Sequence, residues 1–183
     1  SDEKSELKDN RGNKITVSKF NLNLDSNLAK LFDITFEDED KNIFNLNEAF
    51  LDTARNKIVG KDIKLRFNKN IFGNEENDPR LYGNSMISDE NITTINKGVF
   101  TSCKIRENEK CPPWMIKAEE VKHDKKKKIV NYKNAWLNIY DIPVFYFPKF
   151  YHPDPSVKRQ SGFLMPKLIN SNFLGSSLQI PYY

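Results

Sequence analysis

Alanine and glycine are scarce in this 183-residue chain, with five alanines and seven glycines. Helix is therefore disfavoured, because alanine is the strongest helix former. Histidine and cysteine number two each, so a four-ligand structural zinc site would need Cys103, Cys111, His123 and His152 all together, and zinc is disfavoured. No apolar run approaches the ~20 residues a membrane-spanning helix needs; among the longest is Ile142 to Pro148. Neither charge sign dominates: 29 Lys+Arg against 25 Asp+Glu leave +4, whereas a dedicated nucleic-acid binder is usually more basic. Gly-rich phosphate loops, nucleophile elbows and metal-ligand motifs are missing, so the chain reads as non-enzymatic, with no cofactor, metal or catalytic residue. The first ten residues are polar and charged without an apolar core, the chain does not begin with Met, and Leu178 to Tyr183 form an apolar ending. These features predict a segment of a longer protein.

Strand formers are abundant instead, with 16 Ile, 13 Phe and 7 Tyr. Leu, Ile, Val and Phe together make about 27% of the chain, enough to bury a core. Apolar residues alternate at Ile15/Val17, Phe20/Leu22/Leu24, Phe32/Ile34/Phe36, Phe44/Leu46, Ile63/Leu65/Phe67, Trp114/Ile116/Ala118 and Ala135/Leu137/Ile139. A step of two is the signature of a half-buried strand. The parity change between Val17 and Phe20 predicts a bulge or bend at Ser18 and Lys19. Polar clusters at 9–13, 37–41, 74–79, 89–91 and 123–128 predict turns.

Three stretches are weakly self-similar at roughly 35-residue spacing, beginning at Asn45, Arg80 and Met115. Each reads as two strands with a small or short residue, Ala49, Asn84 or Ala118, near the end of the first. One such pair cannot bury its own apolar face, so the pairs must stack into an elongated shared interior. After Asp141 the prolines 143, 148, 153, 155, 166 and 181 predict an interrupted ladder. The expected organisation is therefore a β domain over 1–141 and an aromatic, proline-rich connector over 142–183.

Several short motifs in order, Gly98-Val99-Phe100-Thr101-Ser102-Cys103, Pro113 to Ala118, His123-Asp124, Ile142 to Pro148 and Ser161 to Pro166, resemble the LPS-assembly outer-membrane protein family, also called the organic-solvent-tolerance family. The resemblance is close from Arg80 onward and looser before it. It implies an all-β, elongated and partly open jelly-roll of two facing sheets on the periplasmic face of the outer membrane, followed by a membrane barrel. Its implied role is to hold lipopolysaccharide acyl chains in an apolar groove and pass them from a periplasmic bridge protein to the barrel. The implied partners are lipopolysaccharide, the bridge jelly-roll joined by edge-strand addition at Lys14–Leu24, and a lipoprotein that plugs the barrel. Of the alternating residues, Ile15, Val17, Phe20, Leu22, Ile34, Phe36, Phe44, Leu46, Ile63, Leu65, Phe67, Ile116, Ala118, Leu137 and Ile139 are the expected groove lining. A closed sandwich that binds carbohydrate or protein through Tyr140 to Tyr151 is the alternative.

Cys103 and Cys111 flank a polar loop, and their even count predicts a local disulfide. The resemblance implies a second possibility, pairing with a cysteine in the barrel. Lys158 and Arg159 stand at the expected membrane junction, where basic side chains meet anionic headgroups. His123-Asp124 with Lys125 to Lys128 reads as a solvated hairpin turn, and Glu37 to Asp40 as an acidic turn with no nucleophile beside it.

Overall fold

The structure is a computed structural model that describes residues 5–8, 13–68, 77–105, 112–154, 157, 167–171 and 175–179. It is all-β, without a helix among the described residues. The strands are β1 (Ser5–Lys8), β2 (Lys14–Val17), β3 (Lys19–Asn23), β4 (Leu28–Glu37), β5 (Ile43–Asp52), β6 (Lys57–Arg66), β7 (Arg80–Ser88), β8 (Ile92–Thr101), β9 (Trp114–Asp124), β10 (Ile129–Ile139) and β11 (Ile142–Pro153), with a separate hairpin of β12 (Lys167–Ser171) and β13 (Gly175–Gln179). The first eleven form one antiparallel sheet in the order β1-β2-β4-β5-β6-β7-β8-β9-β10-β11, with β3 also on β4. Ten strands at ~4.8 Å spacing extend the sheet roughly 43 Å perpendicular to the strands.

The two facing layers are halves of this one ladder. Regular pairing is interrupted in the middle of every long strand: Phe32 pairs Glu48 and Ile34 pairs Leu46, Lys61 pairs Ser85 and Ile63 pairs Gly83, Lys133 pairs Glu120 and Ala135 pairs Ala118. Aligned across neighbours, the interruptions draw a crease through Asp33, Asn47, Asp62, Asn84, Lys97, Glu119, Asn134 and Pro148. On alternate strands the crease residue is left-handed: Asp33, Asp62, Lys97 and Asn134 have φ of 48°, 53°, 51° and 49°. Asn and Asp tolerate this region because their short side chains bond locally. Asn47 Nδ2 accordingly donates to Asp62 Oδ2 at 3.3 Å, and Asn134 Nδ2 donates to Glu119 Oε2.

An inserted residue reverses side-chain parity. On each strand the inward positions step by two, then by three over the crease, then by two again. The crossing pairs are 31/34, 46/49, 60/63, 83/86, 95/98, 118/121, 132/135 and 147/150. In a flat sheet, residues three positions apart on neighbouring strands would be ~10 Å distant along the strand direction. Here the Leu46 side chain fills the place of a Cβ on Gly60, Ile95 does so at Gly83, and Val121 at Gly98. The halves therefore close on one another, which is how Ala49 and Ala135 reach 0% exposure in a single sheet.

The bend expected at Ser18 is the same crease reaching the edge: β2 pairs with 35–37 and β3 with 28–32 of β4, and the chain breaks between them. The three self-similar stretches are the hairpins β5–β6, β7–β8 and β9–β10. Their turns share one chemistry: Asp52, Asp89 and Asp124 accept backbone N–H bonds from two or three residues on, as Asn23 does in the β3–β4 turn, and a left-handed Asn27, Asn56 or Lys128 closes the β3–β4, β5–β6 and β9–β10 turns.

Two expectations change. The stretch from Ile142 stays in the sheet: β11 pairs with β10 from Ile142 to Pro153. An edge strand has one ladder partner, so it tolerates Pro143, Pro148 and Pro153 where a central strand would not. His123 and Asp124 belong to β9, which leaves Lys125 to Lys128 as the turn.

Candidate functional site: the inner face of the creased sheet

Cross-strand register arranges the inner face in rows that run the length of the crease. The row along one lip is Ile15, Phe36, Phe44, Leu65, Leu81, Phe100, Ile116, Leu137 and Phe145, apolar over nine strands without a break. Beside the crease on that side stand Val17, Ile34, Leu46, Ile63, Ala118, Ala135 and Phe147. Beyond the crease the facing row is Phe20, Leu31, Ala49, Gly60, Met86, Ile95, Val121, Tyr132 and Phe150. Most of the two rows at the crease, together with Leu65 and Leu81 of the lip, pack into one buried cluster, while Ile15, Phe36, Phe44, Phe67, Phe100, Ile116 and Leu137 stay half-buried. Ring contacts Phe36–Phe44 at 5.5 Å and Phe67–Phe100 at 6.2 Å tie the lip together.

All fifteen expected lining residues fall on this inner face, but they differ in depth. Val17, Ile34, Leu46, Ile63, Leu65 and Ala118 are buried. Three are exposed rather than sheltered: Phe20 at 59%, Leu22 at 45% and Ile139 at 42%. They lie where strands run out, Phe20 and Leu22 on β3, which pairs only with β4 among the described residues, and Ile139 at the end of β10. Phe145 and Ile142 are likewise exposed at the opposite edge. Apolar surface thus emerges at both ends of the folded sheet.

The second lip changes character along its length. Leu22, Ala29, Leu51 and Ile58 are followed by Ser88, Thr93, His123, Val130 and His152. The Ser88 and Thr93 hydroxyls lie 2.7 Å apart, and the Lys125 ammonium donates to Ser88 Oγ and to the Asp89 carbonyl. His123 Nε2 lies 2.7 Å from Asp154 Oδ2. Next to it, His152 Nδ1 lies 2.6 Å from the Pro153 carbonyl and Nε2 lies 3.0 Å from the Tyr132 hydroxyl. With Nδ1 carrying the proton, both ring nitrogens of neutral His152 are satisfied by Pro153 and Tyr132. Burial pushes the imidazole below its ordinary value and the Tyr132 phenol upward.

Cys103 is a free thiol with Sγ 3.8 Å from the Trp114 carbonyl. Its expected partner Cys111, and the basic pair Lys158 and Arg159, lie outside the described residues. The edge expected to be open over Lys14–Leu24 is covered by β1 along Lys14–Val17, which leaves Lys19–Asn23 as the uncovered part among the described residues. No group of three or more His, Cys, Asp or Glu side chains converges among the described residues.

No family model matches the chain. A stretch of 92 residues is 38% identical to LPS-assembly protein LptD of Ectopseudomonas mendocina, covering 50% of this chain and 9% of that protein. LptD of Shewanella denitrificans is 30% identical over 141 residues, 75% of this chain and 15% of that protein. LptD of Yersinia pestis is 36% identical over 91 residues. The chain is LptD-like. It spans between 9% and 15% of the length of these relatives. A solved structure of LptH from Pseudomonas aeruginosa, described as the LptA-homologous periplasmic component of the lipopolysaccharide transport device, aligns at TM-score 0.46 and 12% identity over 66% of this chain and 81% of that one. Within the LptD-like segment, sequence reading missed the residues beyond the crease, Leu31, Met86, Ile95, Val121 and Tyr132 among them. The 2-3-2 spacing of apolar positions is the signal that marks them.

Proposed function

We propose that this LptD-like segment shelters lipopolysaccharide acyl chains along its inner face and hands them toward an outer-membrane barrel, as a non-enzymatic step in outer-membrane assembly. The observation that carries the reading is the unbroken apolar lip from Ile15 to Phe145, half-buried along most of its length and ending in exposed Phe145 at the β11 edge. Exposing a twelve-carbon tail to water costs on the order of 10 kcal/mol, at ~0.8 kcal/mol per methylene. A carrier that works without an energy source of its own must therefore offer continuous cover. The packed crease supplies a rigid spine, and the lip supplies the sliding surface.

In this reading the segment stands on the periplasmic face of the outer membrane. The uncovered backbone of Lys19–Asn23 accepts an edge strand of the periplasmic bridge protein, and Lys158 and Arg159 lie toward anionic headgroups. The lipoprotein plug contacts the barrel of the whole protein.

Photo-crosslinking side chains placed at Phe36, Phe44 and Ile116 test the proposal in cells that export lipopolysaccharide. Lipid adducts should form there and not at Thr35 or Asn45, which point to the other side of the same strands. Adducts at both faces, or at neither, refute it. The rival reading, a carbohydrate- or protein-binding sandwich, draws on exposed Tyr140 and Tyr151 at 58% and 69%. It expects no lipid at the inner positions and adducts along β11 instead.

A further inference from the structure

The outer face of the sheet carries a second row, and its chemistry differs from that of the inner face. Register places Lys64, Tyr82, Val99, Lys117, Trp136 and Tyr146 side by side on six consecutive strands. Outward positions on a water-facing sheet are ordinarily polar, yet Tyr82, Trp136 and Tyr146 are 37%, 43% and 41% exposed. Trp136 and Tyr146 form a joined platform with ring centroids 4.8 Å apart, and the Tyr146 hydroxyl donates to Asn134 Oδ1. Tyr82 lies three strands away, roughly 14 Å at normal strand spacing.

Around Tyr82 the crease produces a shallow depression lined by Asp62, Lys64, Tyr82, Asn84, Lys97 and Val99. The left-handed backbone at Asp62 and Lys97 shapes this concavity. Lys64 and Lys97 have no ion-pair partner among the described residues, so two cations flank an exposed aromatic ring and the short polar side chains of Asn84 and Asp62. Aromatic faces stack on the apolar faces of flat rings, Lys supplies point charges for anions, and Asn and Asp bond hydroxyls. A lipid tail would use only the rings, and a simple anion only the lysines. A carboxylated sugar uses every group.

We infer that this outer row is a binding face for a carboxylate-bearing amino-sugar polymer, with one sugar in the Tyr82 depression between Lys64 and Lys97 and a further sugar on the Trp136–Tyr146 platform. The face lies on the opposite side of the sheet from the apolar lips, so its ligand is separate from any molecule held between the halves. Anchoring to a fixed glycan mesh would hold the segment in place while its inner face stays free.

The test uses the 183-residue chain, sedimentation with isolated cell-wall sacculi, and titration with a soluble carboxylated tetrasaccharide and its uncharged N-acetylglucosamine counterpart. Wild type should co-sediment and should bind the carboxylated sugar at least tenfold more tightly than the neutral one. Lys64→Glu with Lys97→Glu should abolish that preference, Tyr82→Ala should weaken both sugars at least tenfold, and Lys64→Gln with Lys97→Gln should fall between. Circular dichroism and unchanged urea midpoints confirm that the variants are folded. Failure of the folded wild type to bind either probe overturns the inference, as does binding indifferent to the lysine reversals. Binding to anionic phospholipid vesicles through the same residues, with no glycan binding, also overturns it. Inner-face crosslinking at Phe36 should persist in the lysine variants, which separates this inference from the lipid proposal.

Discussion

Gly98 offers the sharpest test of the crease. A Cβ built there lies 2.5 Å from Val121 Cγ2 and 3.5 Å from Val121 Cβ. Val121 is β-branched and 3% exposed, so it has neither a free rotamer nor room to retreat. Gly98→Ala must therefore push the two halves apart. Overpacking of this kind costs about 1–3 kcal/mol. Val121→Ala alone removes two buried methyl groups, about 1.6 kcal/mol at ~0.8 per group before any cavity term. The double variant places the new methyl where the valine stood, so its loss should be smaller than the sum by at least ~1 kcal/mol, a coupling expected only of residues in contact. Urea unfolding followed by the fluorescence of Trp114 and Trp136 measures all three, with an unchanged slope as the sign that the unfolded states match. A neutral Gly98→Ala, or losses that simply add, would refute the closure of the two halves at this point.

Further outcomes follow from the polar groups. Arg80 is 6% exposed, and its Nη1 donates to the Asp78 and Cys103 carbonyls and pairs with Asp78 Oδ2 at 3.4 Å. Arg80→Ala should cost about 3 kcal/mol in urea midpoint stability because it strands buried acceptors; a loss under about 1 kcal/mol contradicts that role. His152 is held below its ordinary value of 6.5, chiefly by burial. Its contribution to stability is therefore complete above about 6.5 and is lost as pH falls through the lower folded value, since the unfolded chain then binds more protons. The urea midpoint should drop between pH 7 and pH 5, and His152→Gln should flatten that drop. A variant that follows wild type at every pH rules out His152 as the source.

Strand content, hairpin repeats and the bend at Ser18 were legible because each leaves a local trace: an alternation, a polar turn or a parity change. The folding of one ladder on itself was less legible, because its cause is spread over eight strands. Each strand shows only one inserted residue, and a step of two carried across it changes face. The alternation Phe32/Ile34/Phe36, for example, crosses the insertion at Asp33 and takes in Phe32, which lies on the other face, while Leu31 falls out of phase and is lost. The prolines of β11 misled for a different reason. Proline reports a missing donor, but whether that donor was needed depends on whether a neighbouring strand lies on that side, which only the sheet order reveals.

The candidate site shows the same division between residue and register. Composition identifies which side chains are apolar, but a shelter for a long hydrocarbon needs them consecutive in space, and that property belongs to cross-strand pairing. Phe36, Phe44 and Leu65 are neighbours only because β4, β5 and β6 pair without slippage on that side of the crease. The crease both fixes this register and absorbs the tight packing, since small residues such as Ala49, Gly60, Gly98 and Ala135 let the halves touch there. With contact concentrated at the spine, the lip is left half-covered rather than sealed. A sheet packed evenly from spine to lip would be a closed sandwich; uneven packing, densest where the smallest residues lie, is what leaves the apolar lip half-buried, as the proposed lipid shelter requires.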